Sequence, residues 1–127
     1  MAEIDITKYD ILVSVGRGIK DEENLEMAQH LADVLGGALA CSRPVVDFKW
    51  LPREHQVGIS GQTVRPHIYL ALGISGAFQH QAGMINSEIL IAINRDAKAP
   101  IFKVADYGIV DDIQEVIPAL IEKISSK

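Results

Sequence analysis

The first third of the chain alternates short apolar runs with one helical stripe. The run YDILVSVG (9–16) is rich in β-branched residues and stops at a glycine, as a buried parallel strand does. From Glu22 to Leu35 the apolar residues recur every three or four positions, which predicts an amphipathic helix closed by Gly36 and Gly37. The short run ALACS (38–42) follows. This order predicts a strand, a helix and a second strand.

The rest of the chain continues the alternation. A polar segment with a proline near each end, LPREHQVGISGQTVRP (51–66), predicts a long loop, and loops of that length are usually functional. Three more short apolar runs complete the predicted strands: IYLAL (68–72), ILIAIN (89–94) and IFKVA (101–105).

Helix-start signals precede the remaining helices. Pro44 suits the first turn of a helix capped by Ser42. Asp111 with Gln114 resembles a capping box at the start of a C-terminal apolar stripe, and Pro118 is expected to bend that helix. The stripe consists of Ile113, Val116, Ile117, Leu120, Ile121 and Ile124.

Alternating strands and helices predict an α/β fold, a three-layer open parallel sheet of Rossmann-like type with right-handed crossovers. Ligands of such sheets bind beyond the carboxyl ends of the strands. Arg17, Ser42, Ser75 and Asn94 each fall at or just after the end of a predicted strand. We therefore expect them to share one crevice.

Composition narrows the class of protein. The 127 residues suit one domain, and a net charge of −5 offers no general attraction to nucleic acid or to an anionic membrane. No apolar run reaches membrane-spanning length, and the polar start MAEIDITKYD is unlike a signal peptide. Cys41, the single cysteine, cannot form an internal disulfide and is expected to be a small buried residue.

Three chemistries are poorly supported by the motifs. VGRGIKDEE has Asp21 where a dinucleotide fingerprint needs its third glycine. Both GIS segments lack the last glycine of a serine-hydrolase elbow, and no histidine follows His80 to complete a triad. The histidines and Cys41 show no metal-ligand spacing. We expect neither catalytic residues nor a metal.

The segment LGISGAFQHQAGM (72–84) favours anion and polar-ring recognition instead. If Ser75 caps a short helix, the amides of Gly76 to Phe78 point outward at its positive end, which suits a phosphate. Gln79 and His80 then lie one turn on. The alternative is that Ser75 is only a cap and His80 only a surface residue.

A series of motifs from about Tyr9 to Lys123 resembles the C-terminal, FAD-binding domain of the electron transfer flavoprotein alpha subunit. The motifs are VGRGIK, SRPVVD, QVGISG, RPHIYLALGISGAFQHQAGM, ILIAIN and APIFKVADYGIV. The resemblance implies an electron carrier that holds FAD and is not an enzyme. It also implies an alpha subunit paired with a beta subunit, exchanging electrons with a dehydrogenase or quinone oxidoreductase.

The resemblance also implies a role for each matched residue. Arg43 is expected against the flavin ring, Ser42 at the nucleotide part, Ser60 at the ring nitrogen N5 and His80 at the pyrimidine edge. Ile59 stands where many members have glutamine, and Ser60 where they have threonine, so redox potentials cannot be carried over. The complete set of expected FAD-binding residues is Arg17, Ser42, Arg43, Val57, Gly58, Ile59, Ser60, Ser75, Gly76, Ala77, Phe78, Gln79, His80, Asn94, Asp112 and Ile113.

Further expectations concern the boundaries and setting of the domain. Residues 1–8 are expected to be a linker remnant or disordered start, and residues 9–127 the FAD-binding domain of a longer subunit. The resemblance implies a bacterial cytoplasm or a mitochondrial matrix. A non-redox module that binds AMP or NAD is the alternative, because the sheet and phosphate loop of such a module look alike.

Overall fold

The protein, described for residues 4–126 by a computed structural model, is built on a five-stranded sheet whose neighbouring strands are all parallel. The strands lie in the order β2-β1-β3-β4-β5 and are β1 Ile11–Val15, β2 Ala38–Cys41, β3 Ile68–Leu72, β4 Ile89–Ile93 and β5 Tyr107–Ile109. The α-helices are α1 Glu22–Leu35, α2 Arg43–Asp47, α3 Phe78–Met84 and α4 Ile113–Ser125. The predicted Rossmann-like parallel α/β fold is confirmed.

Each face of the sheet has its own apolar core. Helices α1 and α4 pack together over one face, where Val13, Leu39 and Leu70 lie beneath them. The other face carries Leu12, Tyr69 and Leu90, under α3 and the segments around it. Because side chains alternate along each strand, the two cores draw on alternate positions, as expected for strands that are buried on both sides.

The first predicted helix has the bounds that the sequence indicates. Asp21 accepts a hydrogen bond from the Asn24 amide at 2.9 Å at the start of α1, and Gly36 adopts φ 72° at its end. Both ends therefore carry local signals that agree with the apolar stripe between them.

The predicted strand over 101–105 is wrong. Pro100–Lys103 forms a 3-10 helix, and the fifth strand is Tyr107–Ile109. Pro100 sits in the first turn of that 3-10 helix, with Ile101 buried in a core and Lys103 exposed. All three residues of β5 are exposed. A short exposed edge strand has no apolar periodicity for a sequence to reveal.

The cap of α4 is one residue later than predicted. Asp112, not Asp111, is the N-cap, and its carboxylate accepts from the Gln114 amide at 3.0 Å. Asp111 instead accepts from the Asp112 amide. Pro118 lies inside α4 as predicted.

The start of the chain packs on the sheet as far as it is described. Ile6 is 1% exposed and belongs to the α3-side core, while Ile6–Lys8 forms a 3-10 turn capped by Asp5. Residues 1–3 of the expected linker remnant lie outside the described residues. The domain boundary at residue 8 stays a prediction.

The strand order reverses between β1 and β3, and the loops leaving these neighbours depart on different sides. The two loops are in contact directly after the strands end: the Gly18 amide donates to the Gly73 carbonyl at 3.0 Å. A Cβ on Gly73, whose φ is 65°, would lie 2.8 Å from the carbonyl carbon of Gly18. Glycine is therefore required at this contact, and a crevice opens beyond it, where ligands of parallel sheets bind.

Candidate functional site

A cavity of about 640 Å³ lies at the carboxyl ends of the strands. Loops after β1, β2, β3 and β4 all contribute to its wall. Of the sixteen expected site residues, thirteen line it: Arg17, Ser42, Arg43, Val57, Gly58, Ile59, Ser60, Ser75, Gly76, Ala77, Gln79, His80 and Asn94. Residues far apart in the sequence thus meet at one site large enough for a small-molecule ligand.

The rim of the cavity is cationic although the chain is acidic. Among the described residues its wall includes Arg17, Lys20, Arg43 and Arg95 and a single carboxylate, Asp96, whereas the whole chain has a net charge of −5. Arg43 also approaches Asp47 at 3.6 Å, but both side chains are more than 60% exposed, so this pair is weak. The local field therefore favours an anionic ligand.

The serine beside α2 has an uncommitted hydroxyl. Ser42 occupies the N-cap position of α2, as predicted, but makes no side-chain capping bond, and it is 7% exposed. The Ser42 hydroxyl makes no hydrogen bond with the described residues. It is available to a ligand in the cavity.

The segment 57–62 forms a tight turn against α3. Ile59 donates its amide to the Gln79 carbonyl at 2.9 Å, and a Cβ on Gly58 would lie 2.7 Å from that same oxygen. Gln56, 4% exposed, donates to the Ser60 hydroxyl oxygen at 2.8 Å. Because that oxygen already accepts a bond, its own proton is free to be donated into the cavity.

The turn after β3 differs from the prediction in its cap. Ala77, not Ser75, occupies the N-cap position of α3, and no side chain of the described residues caps that helix. Ser75 is exposed, and its carbonyl accepts from the Ile101 amide at 2.8 Å. The predicted turn after the strand is present. With Gly76 at φ 90°, however, the turn continues for two residues beyond Ser75 before the helix begins.

Asn94 holds the neighbouring turns together. Its side-chain nitrogen donates to the Ile74 carbonyl at 3.0 Å, and its side-chain oxygen accepts from the Asp96 amide at 2.9 Å. Part of its hydrogen-bonding capacity is therefore used in shaping the wall between the loops after β3 and β4.

His80 is a buried wall residue. It is 5% exposed, its Nε2 lies 2.7 Å from the Tyr69 hydroxyl, and its Nδ1 is buried without a hydrogen-bond partner among the described residues. Burial lowers the pKa of His80 to about 4; a backbone group of Val57 beside the ring opposes this, although nothing reaches Nδ1 in hydrogen-bond geometry. The ring is therefore neutral at pH 7 and has one unpaired nitrogen.

Three expected site residues lie outside the cavity wall. Phe78 is 74% exposed at the start of α3, and Asp112 caps α4 and lies 3.9 Å from Lys20. Ile113 is buried in the α1–α4 core. The structure brings none of these three side chains into the wall with the others.

Sequence reasoning missed several wall residues. Lys20 and Arg95 follow β1 and β4 and could have been found by the rule that located Arg17 and Asn94. The sequence around Gln56 did not indicate a place in the wall, because its hydrogen bond to Ser60 depends on how the long loop folds.

The environment of the Cys41 thiol does not favour a role as a nucleophile. Cys41 is fully buried, and burial raises the pKa of this thiol to about 12. The thiolate is therefore not formed near neutral pH, and the prediction of a small buried residue is confirmed.

Comparison with known proteins bears directly on this site. The model of the electron transfer flavoprotein FAD-binding domain matches residues 5–85. The chain belongs to this family. The matched region includes β1 to β3 and the loops that contribute most of the cavity wall. The resemblance inferred from the motifs is confirmed.

Similar proteins from bacteria and plants extend the match to nearly the whole chain. The electron transfer flavoprotein subunit alpha of Thermoanaerobacterium thermosaccharolyticum is 54% identical over 121 residues, 95% of this chain and 37% of that protein. The mitochondrial electron transfer flavoprotein subunit alpha of Arabidopsis thaliana is 46% identical over 123 residues, 97% of this chain and 34% of that protein.

A third relative carries a different name. The lactate dehydrogenase (NAD(+),ferredoxin) subunit LctC of Acetobacterium woodii is 47% identical over 121 residues, 95% of this chain and 29% of that protein. The chain thus spans about a third of the length of these relatives.

Proposed function

We propose that this chain is the FAD-binding domain of an electron transfer flavoprotein alpha subunit and acts as an electron carrier, not as an enzyme. The observation that carries the proposal is the cavity itself: a cationic rim on an acidic chain, next to a buried imidazole nitrogen that has no partner among residues 4–126. These groups fit an anionic dinucleotide attached to a polar ring system. When bound, FAD supplies one- and two-electron transfer at its ring.

The nucleotide part of FAD is assigned to the loops after β1, β2 and β3. Arg17 is exposed on the rim and provides charge for the pyrophosphate, and Ser42 provides an unused hydroxyl. The amides of Ser75, Gly76 and Ala77 donate to no backbone carbonyl of the described chain. They are therefore free donors for phosphate oxygens.

The ring part of FAD is assigned to the opposite group of wall residues. The Arg43 side chain is 69% exposed on the cavity wall and is assigned to a ring face, and Ser60 has a proton to donate to N5. His80 would hold the pyrimidine edge of the ring. A cation and a donor near the ring favour its negatively charged reduced form over the oxidised form.

Asn94, Asp112 and Ile113 are assigned to the adenosine end. Asn94 lines the cavity, and Asp112 lies 3.9 Å from Lys20, which also lines it. Ile113 follows Asp112 in the chain. For Ile113 only main-chain groups are available, because its side chain is buried.

The partners follow from the same assignment. We propose that a family beta subunit covers the flavin and that a dehydrogenase or quinone oxidoreductase exchanges electrons with the complex. Ile59 on the cavity wall and Phe78 beside it are 62% and 74% exposed, which is unusual for large apolar residues near a site unless another surface meets them.

No helix among residues 4–126 is long and apolar enough to cross a membrane. We place the complex in a bacterial cytoplasm or a mitochondrial matrix.

The test is a titration of the chain with FAD, followed by the visible absorption and fluorescence of the ring. Binding is expected to shift the ring spectrum, and Arg17→Ala is expected to weaken binding about tenfold because a charged phosphate contact is lost. Arg65→Ala is the matched control, since Arg65 is exposed and outside the cavity wall.

The same titration separates the alternative. A module for AMP or NAD binds those nucleotides at least as tightly as FAD and leaves the ring spectrum of added FAD unchanged. Absence of FAD binding both alone and with the beta subunit refutes the proposal.

A further inference from the structure

Three buried polar side chains form a line behind the cavity wall. The Tyr69 hydroxyl lies 2.8 Å from the Ser14 hydroxyl and 2.7 Å from His80 Nε2. Ser14 and Tyr69 are fully buried and His80 is 5% exposed. Polar groups are costly to bury unless they are paired, so this line of hydrogen bonds in the α3-side core requires a physical explanation.

The register of the sheet brings the first two residues together. Leu12 faces Tyr69 and Ser14 faces Ala71 across the β1–β3 pair, so Ser14 and Tyr69 are diagonal neighbours on one face. Helix α3 places His80 next to this face, with the Tyr69 and His80 rings 5.9 Å apart between centroids and tilted by 60°. The line therefore runs from the sheet to the cavity wall.

The number of protons decides the direction of the two hydrogen bonds. Either hydroxyl can donate across the 2.8 Å contact between Ser14 and Tyr69. If Tyr69 donates to Ser14, the serine proton has no other acceptor among residues 4–126, because this contact is the only hydrogen bond of the Ser14 side chain there. An unpaired buried donor costs about 1 to 3 kcal/mol.

The opposite direction pairs both hydroxyl protons and leaves only the ring proton of His80 without a partner among residues 4–126. Ser14 then donates to Tyr69, and Tyr69 donates to His80 Nε2, which must be unprotonated to accept. The tautomer of a neutral imidazole is set by the hydrogen bond at one of its nitrogens. The ring proton then lies on Nδ1, the nitrogen without a partner in the described chain.

We propose that Ser14 and Tyr69 are positioning residues that hold His80 in its Nδ1-protonated tautomer, so that the cavity wall carries a hydrogen-bond donor. Burial supports this, because it keeps both rings neutral: it raises the pKa of Tyr69 above its usual range and lowers that of His80 to about 4. The inference rests on the proposed function only for the acceptor, which is a carbonyl oxygen or ring nitrogen at the pyrimidine edge of the flavin.

The first test needs no ligand. Long-range proton–nitrogen NMR spectra of the ligand-free chain, labelled with ¹⁵N-histidine, distinguish protonated from unprotonated ring nitrogens at pH 7. His80 is expected to show a protonated Nδ1 and an unprotonated Nε2. An unprotonated Nδ1 in the wild-type chain overturns the inference, whatever any variant does.

Two variants test the cause of the tautomer. Tyr69→Phe removes the donor to Nε2 and is expected to shift the proton wholly or partly to that nitrogen, and Ser14→Ala is expected to do so to a smaller extent. Tyr107→Phe removes the hydroxyl of a tyrosine that is 66% exposed and is expected to leave the His80 signals unchanged. An unchanged tautomer in a folded Tyr69→Phe chain contradicts the role of Tyr69.

The second test adds FAD. Tyr69→Phe is expected to weaken FAD binding about three- to tenfold relative to Tyr107→Phe, since one hydrogen bond to the ring is lost. Equal affinities contradict the inference. If the wild-type chain binds no FAD either alone or with the beta subunit, the proposed function fails, while the tautomer measured in the ligand-free chain still decides the inference.

Discussion

At the residue scale, the site depends on atoms whose partners are distant in the sequence. Tyr69 bonds with residues 55 and 11 positions away, Ser14 and His80. Residues at strand ends, such as Ser42 and Asn94, could be predicted, because the end of an apolar run is visible in the sequence. The Gln56–Ser60 and Ser14–Tyr69–His80 bonds could not, since they depend on register and on the path of a long loop.

The buried imidazole predicts how stability changes with pH. The pKa of His80 is about 4 in the folded chain, below its ordinary value of 6.5, so the unfolded state binds the proton more readily. Stability from this group is complete above about pH 6.5 and decreases as the pH falls toward 4. We expect a loss of about 2 kcal/mol between pH 7 and pH 5.

Denaturant unfolding at pH 7 and pH 5 measures that loss. His80→Asn is expected to reduce the difference between the two pH values, whereas His30→Asn, which removes an exposed histidine on α1, is expected to retain it. Equal pH dependence in the wild-type and His80→Asn chains contradicts the prediction.

Arg43 predicts a shift in redox potential. Removing its positive charge from a ring face destabilises the reduced, negatively charged ring, so Arg43→Ala is expected to lower the potential of bound FAD. A cation–ring contact of about 1 to 2 kcal/mol corresponds to roughly 40 to 90 mV for one electron. Spectroelectrochemical titration of FAD-loaded protein measures it.

Arg43→Lys and Arg65→Ala serve as controls for that experiment. Lysine keeps the charge but lacks the planar guanidinium, so only part of the potential is expected to be restored. Arg65→Ala is expected to leave the potential unchanged, because Arg65 lies outside the cavity wall. A potential that is unchanged or higher in Arg43→Ala excludes the proposed role.

At the element scale, prediction succeeded where local signals and periodicity agree. The bounds of α1 follow from Asp21, the apolar stripe and Gly36 together. Prediction failed for β5, which is three exposed residues long, and for the cap of α3, where Ala77 stands at a position that favours polar side chains. These two elements are held by their neighbours, through pairing with β4 and contacts of the turn after β3, and not by their own sequences.

The contact between the loops after β1 and β3 predicts a difference between two glycines. Gly36 and Gly73 both have positive φ, 72° and 65°, but Gly36 has open space around it, whereas Gly73 lies against Gly18. Gly36→Ala is expected to lower the free energy of unfolding by about 1 to 2 kcal/mol. Gly73→Ala is expected to lower the free energy of unfolding by about 1 to 3 kcal/mol more than Gly36→Ala does, because the backbones of the two loops must separate.

Thermal or denaturant unfolding of both variants measures the difference. Since the left-handed backbone is common to both, the excess for Gly73→Ala isolates the loop contact. Equal destabilisation by the two substitutions means that the loops separate freely.

At the scale of the whole molecule, the proposed partner surface can be tested by a pair of substitutions on α3. Phe78 at its start is 74% exposed and beside the cavity wall, and Ile85 just after its end is 50% exposed. Phe78→Ser is expected to weaken association with a family beta subunit about tenfold or more, because a buried aromatic contact is lost.

Titration calorimetry with FAD present measures that association. Ile85→Ser, which removes an exposed apolar side chain from the other end of the helix, is expected to change the affinity little. An equal effect of both substitutions argues against a partner seated over the cavity.

The bond between Gly18 and Gly73 has a kinetic consequence for the whole molecule. This bond joins the two loops that flank the crevice. The wall that these loops form is therefore already shaped before a ligand arrives. With little rearrangement required, the association rate is governed by diffusion and by the attraction of the cationic rim. Added salt should therefore slow capture of an anionic dinucleotide much more than it hastens release.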